Sequence, residues 1–342
     1  MAIRIGINGF GRIGRAVLRA IVEQDLAEEL QIVHINTNNR KSGSFAEFVA
    51  HMLKYDSVHG TFNAKVEALG ENLIVVNGNA ISISESLAPK DCPWGDLAVD
   101  IVFECTGKFC SKDKSMGHIQ AGAKKVLLSA PGVDADATIV YGVNHTTLTS
   151  KDLIVSNASC TTNCLAPVVS VLQDNFGIEQ GVMTTIHAYT NDQMLLDNKH
   201  NDLYRARAAA LSMIPTKTGA AKAIGLVIPE LAGKLTGLAI RVPVPNVSLV
   251  DFSFNSVKQL SAAEINDCLV HAAENELKDI MSINQLPLVS VDFNHNSASS
   301  IVDLSHTLVV DNLVKVLAWY DNEWGFTCRM LDVAKYMVQL SE

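Results

Sequence analysis

Several things are missing from these 342 residues, and each absence excludes a class of protein. No run approaches the roughly 20 apolar residues that a membrane-spanning helix needs. No internal repeat and no low-complexity stretch is present, which argues against solenoid and disordered architectures. Basic charge is not in excess: 27 Lys and Arg face 36 Asp and Glu, a net charge of −9. A general nucleic-acid-binding role is therefore not expected. The seven cysteines are odd in number and irregular in spacing, so they make no disulfide framework. The strand-like Ala2–Ile7 follows no cleavable leader pattern, and the expected location is a reducing cytoplasm. Cys164 follows Cys160 by one helical turn, but no clustered histidines or further cysteines complete a metal site, so no metal is expected.

What is present is the composition of a globular protein, 48% hydrophobic and 18% charged, long enough for two domains. Residues 3–8 alternate as a strand and Gly11 to about Val22 has helical spacing. Leu30–Ile35 reads as a strand and Phe45–Leu53 as a helix. Asn72–Val76 and Ala80–Ser84 flank Asn77-Gly78, a hairpin signal. Val99–Glu104 reads as a buried strand ending at Cys105-Thr106-Gly107. His118–Ala123 closes a helix before the strand Lys125–Ser129. Such alternation predicts an α/β fold, a doubly wound parallel sheet with helices on both faces. Beyond Cys160 the pattern changes. Strands are predicted at Val182–Ile186, Gly237–Val242, Ser248–Phe254, Leu288–Phe293, Ser300–Asp303 and Lys315–Tyr320. One long helix, Ala262–Leu277, interrupts them, and Trp324–Leu340 closes the chain. This predicts a second, α+β domain with a mixed, mainly antiparallel sheet. The expected division is a dinucleotide-binding domain, residues 1–157, completed by a C-terminal helix over 324–342, and a catalytic domain, residues 158–323.

The most informative stretch is Ser156–Cys164, S-N-A-S-C-T-T-N-C. It sets Cys160 among hydroxyl and amide residues, just before the apolar helical run Leu165–Leu172. A thiol just inside a helix N-terminus meets unpaired N–H groups and the positive end of the helix dipole, which favour the thiolate. Polar flanks argue against a core cysteine. Gly9-Phe10-Gly11-Arg12-Ile13-Gly14 is G-x-G-x-x-G between a strand and a helix, the context of a dinucleotide loop. The acidic residue expected at the end of the second strand is absent; Ile35-Asn36-Thr37-Asn38-Asn39-Arg40-Lys41 stands there. Two readings stay open: Arg40 and Lys41 attract a 2′-phosphate, or they form a solvated turn with Thr37 bonding the ribose. His187 follows a β-branched strand directly and is a candidate base for Cys160. Pro215–Lys222 and Arg241 are candidate anion binders.

Together these residues closely resemble the phosphorylating glyceraldehyde-3-phosphate dehydrogenases over essentially the whole chain. The marks are Ile7–Gly14 (I-N-G-F-G-R-I-G), Lys54–Gly60 (K-Y-D-S-V-H-G), Glu104–Phe109 (E-C-T-G-K-F) and Ala158–Pro167 (A-S-C-T-T-N-C-L-A-P). His187–Gln193 (H-A-Y-T-N-D-Q), Arg205–Ala209 (R-A-R-A-A), Pro215–Ala223 and Trp319–Gly325 (W-Y-D-N-E-W-G) complete them. The resemblance implies reversible oxidative phosphorylation of glyceraldehyde 3-phosphate to 1,3-bisphosphoglycerate, in glycolysis or gluconeogenesis. Cys160 is then the nucleophile and His187 its base. Thr190, Asp192 and Arg241 match the site for the substrate's phosphate; Ser159, Thr161, Thr218 and Gly219 match that for inorganic phosphate. Asn322 matches the residue that holds the nicotinamide amide. Gly9, Phe10, Gly11, Arg12, Ile13, Gly14, Thr106 and Ser129 match cofactor positions. A homotetramer is implied, with a loop around 188–212 packing near a neighbour's cofactor pocket.

The chain departs from the family pattern in places. NAD-dependent members typically carry aspartate at the position of Thr37 and a leucine–proline pair at that of Asn198-Lys199. Both departures remove features that disfavour a 2′-phosphate, so use of NADP, or of both NAD and NADP, is expected. Phe326 stands where tyrosine is usual, and Ser86 near a common arginine. Two alternatives are an erythrose-4-phosphate dehydrogenase and a non-catalytic nucleotide-binding protein. Retention of Thr190 and Thr218-Gly219 argues against the first; the Cys160–His187 pair argues against the second.

Overall fold

The computed structural model describes residues 2–38 and 44–340, so Arg40 and Lys41 lie outside the described residues. The chain forms two compact units. The first comprises residues up to 139, 145–158 and 327 onward; the second comprises 140–144 and 159–326.

In the first unit the strands are β1 Ile3–Asn8, β2 Leu30–Asn36, β3 Val66–Leu69, β4 Leu73–Val76, β5 Asn79–Ser84, β6 Ile101–Glu104, β7 Lys125–Leu128, β8 Ala137–Thr138 and β9 Ile154–Ser156. They form one sheet in the order β3-β4-β5-β2-β1-β6-β7-β9-β8. From β5 to β8 every neighbour is parallel. The helices α1 Arg12–Glu23, α2 Phe45–Lys54 and α3 Lys112–Gln120 make the crossovers. β1, β6 and β7 are almost wholly buried, as expected of parallel strands covered on both faces. The hairpin at Asn77-Gly78 is present, with both residues at positive φ, 47° and 88°. Such a turn matches the twist of its flanking strands.

In the second unit the elements are α4 Cys160–Phe176, β10 Ile178–Ala188, β11 Ile214–Lys217, α5 Ala220–Val227, β12 Leu235–Val242, β13 Ser248–Ser256, α6 Ala262–Glu274, β14 Met281–Asn284, β15 Ser300–Asp303, β16 Leu308–Val310 and β17 Leu313–Tyr320. The last helix, α7 Trp324–Gln339, starts in this unit and belongs to the first from Thr327. The sheet order is β11-β12-β10-β13-β17-β15-β14, with β16 on β17. β10 with β12 and β14 with β15 are parallel pairs; the others are antiparallel. The mixed, mainly antiparallel sheet is the expected one. β13 shows strict alternation of buried and half-buried residues, the signature of a strand with one face on the core.

One predicted strand is not there. Within Leu288–Phe293, residues Ser290–Phe293 form a 3-10 turn. The Asp292 carboxylate accepts the Val289 N–H at 2.8 Å and curls the segment. Phe293 is thereby turned inward to stack on Trp319, while Val289 and Val291 stay exposed. No helix among the described residues is long and apolar enough to cross a membrane.

Candidate active site

The start of helix α4 sets the thiol. Ser159 is the N-cap of α4: its hydroxyl accepts the Thr162 N–H at 3.1 Å. Ala158 stands before it at φ 54°, a left-handed conformation that a non-glycine residue rarely adopts. Cys160 is thus the first helical residue, as the polar run around it implied. Its Sγ lies 3.6 Å from His187 Nε2.

His187 is the next-to-last residue of β10, paired in register with Arg241 on the parallel neighbour β12. Its tautomer follows from one contact. The Ala188 carbonyl lies 2.6 Å from His187 Nδ1, and a carbonyl only accepts, so Nδ1 carries the hydrogen. Nε2 is then bare and faces the thiol. Arg241 Nη1 donates to the same carbonyl at 2.9 Å; its 3.0 Å approach to Nδ1 sets donor against donor and is no bond. Arg241 Nη1 also reaches the Thr190 hydroxyl at 3.4 Å. Arg241 Nε is buried without a hydrogen-bond partner among the described residues, and so is Gln193 Nε2.

Burial pushes His187 down to about 3, helped by the Arg241 charge and opposed by the Ala188 carbonyl. Burial also pushes the Cys160 thiol up, against the Arg241 charge and the Thr161 donors that favour the thiolate. The helix start therefore does not by itself create a standing thiolate. The contact is that of a thiol facing a neutral imidazole nitrogen.

Tyr320, at the end of β17, was not singled out in the sequence. Its buried hydroxyl lies 2.8 Å from both the Thr161 and the Thr185 hydroxyls, and its ring meets His187 edge-on. One phenol thus ties the first turn of α4 to β10. The Thr161 hydroxyl, a predicted phosphate ligand, is engaged there. Asn322 is buried, and its Oδ1 accepts from the Ser248 hydroxyl, which in turn accepts the Ala188 N–H. This fixes the amide with its NH2 group as the donor left for a ligand.

Arg205 is a second addition. Its Nη1 pairs with Asp192 at 2.5 Å, and its Nε donates to Thr216 at 3.0 Å. Its charge reaches His187 as well. The sequence signal was its place in R-A-R-A-A, quoted without a role. Asp192, an acceptor only, holds this cation. The Thr218 hydroxyl accepts the Ala220 N–H at 3.2 Å just ahead of α5, and Gly219, the N-cap of that helix, is exposed with open space beside it.

The first unit holds a cleft lined by Gly9, Phe10, Gly11, Asn36, Thr37 and Thr106, among others. A Cβ on Gly14 would fall 2.2 Å from the Gly9 carbonyl oxygen, so the helix packs this tightly only with glycine there. Arg12 turns to an ion pair with Asp56, the acid of K-Y-D-S-V-H-G, whose carboxylate also accepts the Val58 and His59 N–H groups. Ile13 is half-buried beside it in α1. Ser129 donates to the Glu104 carbonyl at 2.9 Å. Asn198 and Lys199 are exposed on the second unit's long loop.

Comparison with known proteins bears on this geometry. The profile described as the NAD binding domain of glyceraldehyde 3-phosphate dehydrogenase matches residues 3–112, and that of its C-terminal domain matches 159–322. The chain belongs to the glyceraldehyde-3-phosphate dehydrogenase family. A protein of that name from Pseudomonas aeruginosa is 58% identical over 334 residues, covering 98% of each chain. The plasmid-borne one of Cupriavidus necator is 55% identical over 335 residues, 98% of each. One from Xanthobacter flavus is 54% identical over 341 residues, 99% of this chain and 100% of its own. The family's NAD-binding region thus contains the glycine loop and its cleft, and its C-terminal region contains the thiol, imidazole and guanidinium.

Proposed function

We propose that the chain oxidises glyceraldehyde 3-phosphate and phosphorylates the product reversibly to 1,3-bisphosphoglycerate, through a thioester on Cys160. The observation that carries this is the 3.6 Å approach of Cys160 Sγ to a bare His187 Nε2, beside the half-buried guanidinium of Arg241. The substrate's phosphate meets Arg241 and Thr190, with Asp192 holding Arg205 nearby. Sγ attacks the aldehyde carbon as its proton passes to Nε2. His187 returns that proton to the new oxygen, giving a hemithioacetal, and is again a base. It then takes the hydroxyl proton as hydride departs. When bound, NAD is the hydride acceptor; Gly9–Gly14 suit its pyrophosphate and the Asn322 NH2 its amide. Inorganic phosphate, received at Thr218 and Gly219 with Ser159 and Thr161 shaping the thiol turn, attacks the thioester. The sulfur leaves, and His187 reprotonates it.

The reading extends to use of NADP alongside NAD, because Thr37 offers no carboxylate to repel a 2′-phosphate and Lys199 is a cation. Comparing kcat/KM for the two cofactors tests this. An NAD preference beyond about a hundredfold, roughly 2.7 kcal/mol, would contradict it. Thr37→Asp should weaken NADP use more than NAD use. A homotetramer is supported by exposed apolar side chains on the long loop, Leu195, Leu196, Leu203, Leu211 and Met213. Seven free cysteines support a cytoplasmic location. Both directions of the reaction, glycolytic and gluconeogenic, are open to the same groups. Phosphate dependence separates this activity from an erythrose-4-phosphate dehydrogenase: turnover indifferent to phosphate would favour the latter.

A further inference from the structure

The wall of the nucleotide cleft is built around a buried carboxylate that the reaction does not use. Glu104, at the end of β6, is 1% exposed. Its Oε1 accepts the Thr106 N–H at 2.8 Å and the Thr106 hydroxyl. Its Oε2 accepts the Asn8 amide at 2.5 Å and faces His118 Nε2 at 3.0 Å. The indole N–H of Trp94 points at His118 Nδ1, 2.9 Å away. An indole only donates, so Nδ1 is bare and Nε2 carries the hydrogen that goes to Glu104. Every partner of this carboxylate is a neutral donor, and no cation touches it among the described residues.

The polarity set here runs on through two amides. Because Glu104 takes the NH2 of Asn8, the Asn8 oxygen faces outward and accepts from Asn36 Nδ2 at 2.7 Å. Asn36 Nδ2 also donates to the Ser86 carbonyl at 2.9 Å. Its oxygen then accepts the Ser86 N–H at 2.7 Å and the Ser84 hydroxyl at 2.9 Å. Ser84 meets His34 Nε2 at 2.8 Å, and the His34 ring stands edge-on to Trp94 at 5.4 Å. One directional chain therefore crosses β6, β1, β2 and the end of β5. Asn8, Asn36, Ser86 and Thr106 all line the cleft. The Thr106 methyl and N–H also bear on the glycine loop: a Cβ on Gly9 would meet each at 2.8 Å. No alternative amide orientation serves the chain, since flipping Asn8 would aim an oxygen at the carboxylate.

We infer that Glu104 is a positioning residue for the nucleotide cleft: as the acceptor at one end of the chain, it fixes which way Asn8, Asn36 and Thr106 face the cofactor. The inference rests on the reading of that cleft as the NAD site. Trp94 and His118 act behind it, holding the donor that Glu104 needs.

The test measures NAD affinity by calorimetry and, separately, the rate at which iodoacetamide alkylates Cys160 without cofactor. Glu104→Gln keeps the volume and places an amide NH2 against donors. It should raise the Kd for NAD at least about tenfold, the loss of a charge-assisted bond, and leave the alkylation rate within about twofold. A pair of variants at His118 reads polarity directly, because glutamine and methionine are similar in size. His118→Gln can accept from Trp94 and donate to Glu104, and should bind NAD nearly as the parent does. His118→Met can do neither and should bind several-fold more weakly or fold less well. Equal behaviour of the two, in folding and in affinity, overturns the inference, and so does a folded Glu104→Gln protein that binds NAD like the parent. A parent that binds no NAD sinks the reading of the cleft along with it.

Discussion

Two polar clusters of this protein are built in opposite ways. Around Glu104 in the first unit, the carboxylate and the Asn36 amide have every bonding position filled. Around Cys160 in the second unit, donors are left over: Arg241 Nε and Gln193 Nε2 are buried without hydrogen-bond partners among the described residues. Leaving such a group unpaired costs about 1–3 kcal/mol. A saturated network holds a shape; an unsaturated one is completed by a ligand. On the proposed reading, Glu104 does scaffold work and Cys160, His187 and Arg241 do reaction work.

The comparison can be broken most severely at Arg241. Arg241→Gln should lower kcat/KM for glyceraldehyde 3-phosphate about a hundredfold, mainly through KM, since an anion–guanidinium pair of this kind is worth about 2–5 kcal/mol. It should also move the alkylation of Cys160 to higher pH, because the Arg241 charge is the strongest influence favouring the thiolate. An unchanged KM would show that the leftover donors do not await the substrate.

Tyr320→Phe is the intermediate case. It removes one hydroxyl bridging Thr161 and Thr185, and should reduce kcat about tenfold with KM little changed. A pure KM effect would place the phenol among the binding groups instead.

The smallest effect is on stability against pH. Burial holds His34 down at about 4 and His187 at about 3. Unfolded, each titrates near about 6.5. Below that value the unfolded chain binds protons that the folded chain does not, so stability is full above about pH 6.5 and falls as the pH drops towards 4. His34→Gln removes one such proton and should flatten the slope by up to about 1.4 kcal/mol per pH unit in denaturant titrations. An unchanged slope would mean that His34 is not held neutral.

How far the chain could be read in advance follows the same divide. The glycine loop, the hairpin at Asn77-Gly78 and the alternation of β13 are local patterns, and they were legible. So was the place of Cys160 at the start of α4, because the groups that set it, Ser159 to Asn163, are its chain neighbours. Leu288–Phe293 misled because its apolar residues suit a strand until Asp292 captures the Val289 N–H. The Glu104 chain was invisible for another reason. Asn8 and Glu104 are 96 positions apart, and Trp94 meets His118 across 24. Only the parallel register of β1 and β6, which sets Asn8 beside Glu104, brings them together. Arg205 and Tyr320 were likewise present only as letters in motifs until β11 and β17 placed them.

The most direct test of the central claim is a single-turnover measurement with glyceraldehyde 3-phosphate and NAD in phosphate-free buffer. The account predicts a rapid burst of NADH, one per functional site, and then a stall with Cys160 blocked to alkylation as a thioester. Adding phosphate should release 1,3-bisphosphoglycerate and restart turnover, and Cys160→Ala should show no burst. Steady NADH formation without phosphate, or a burst that leaves Cys160 open to alkylation, would contradict it.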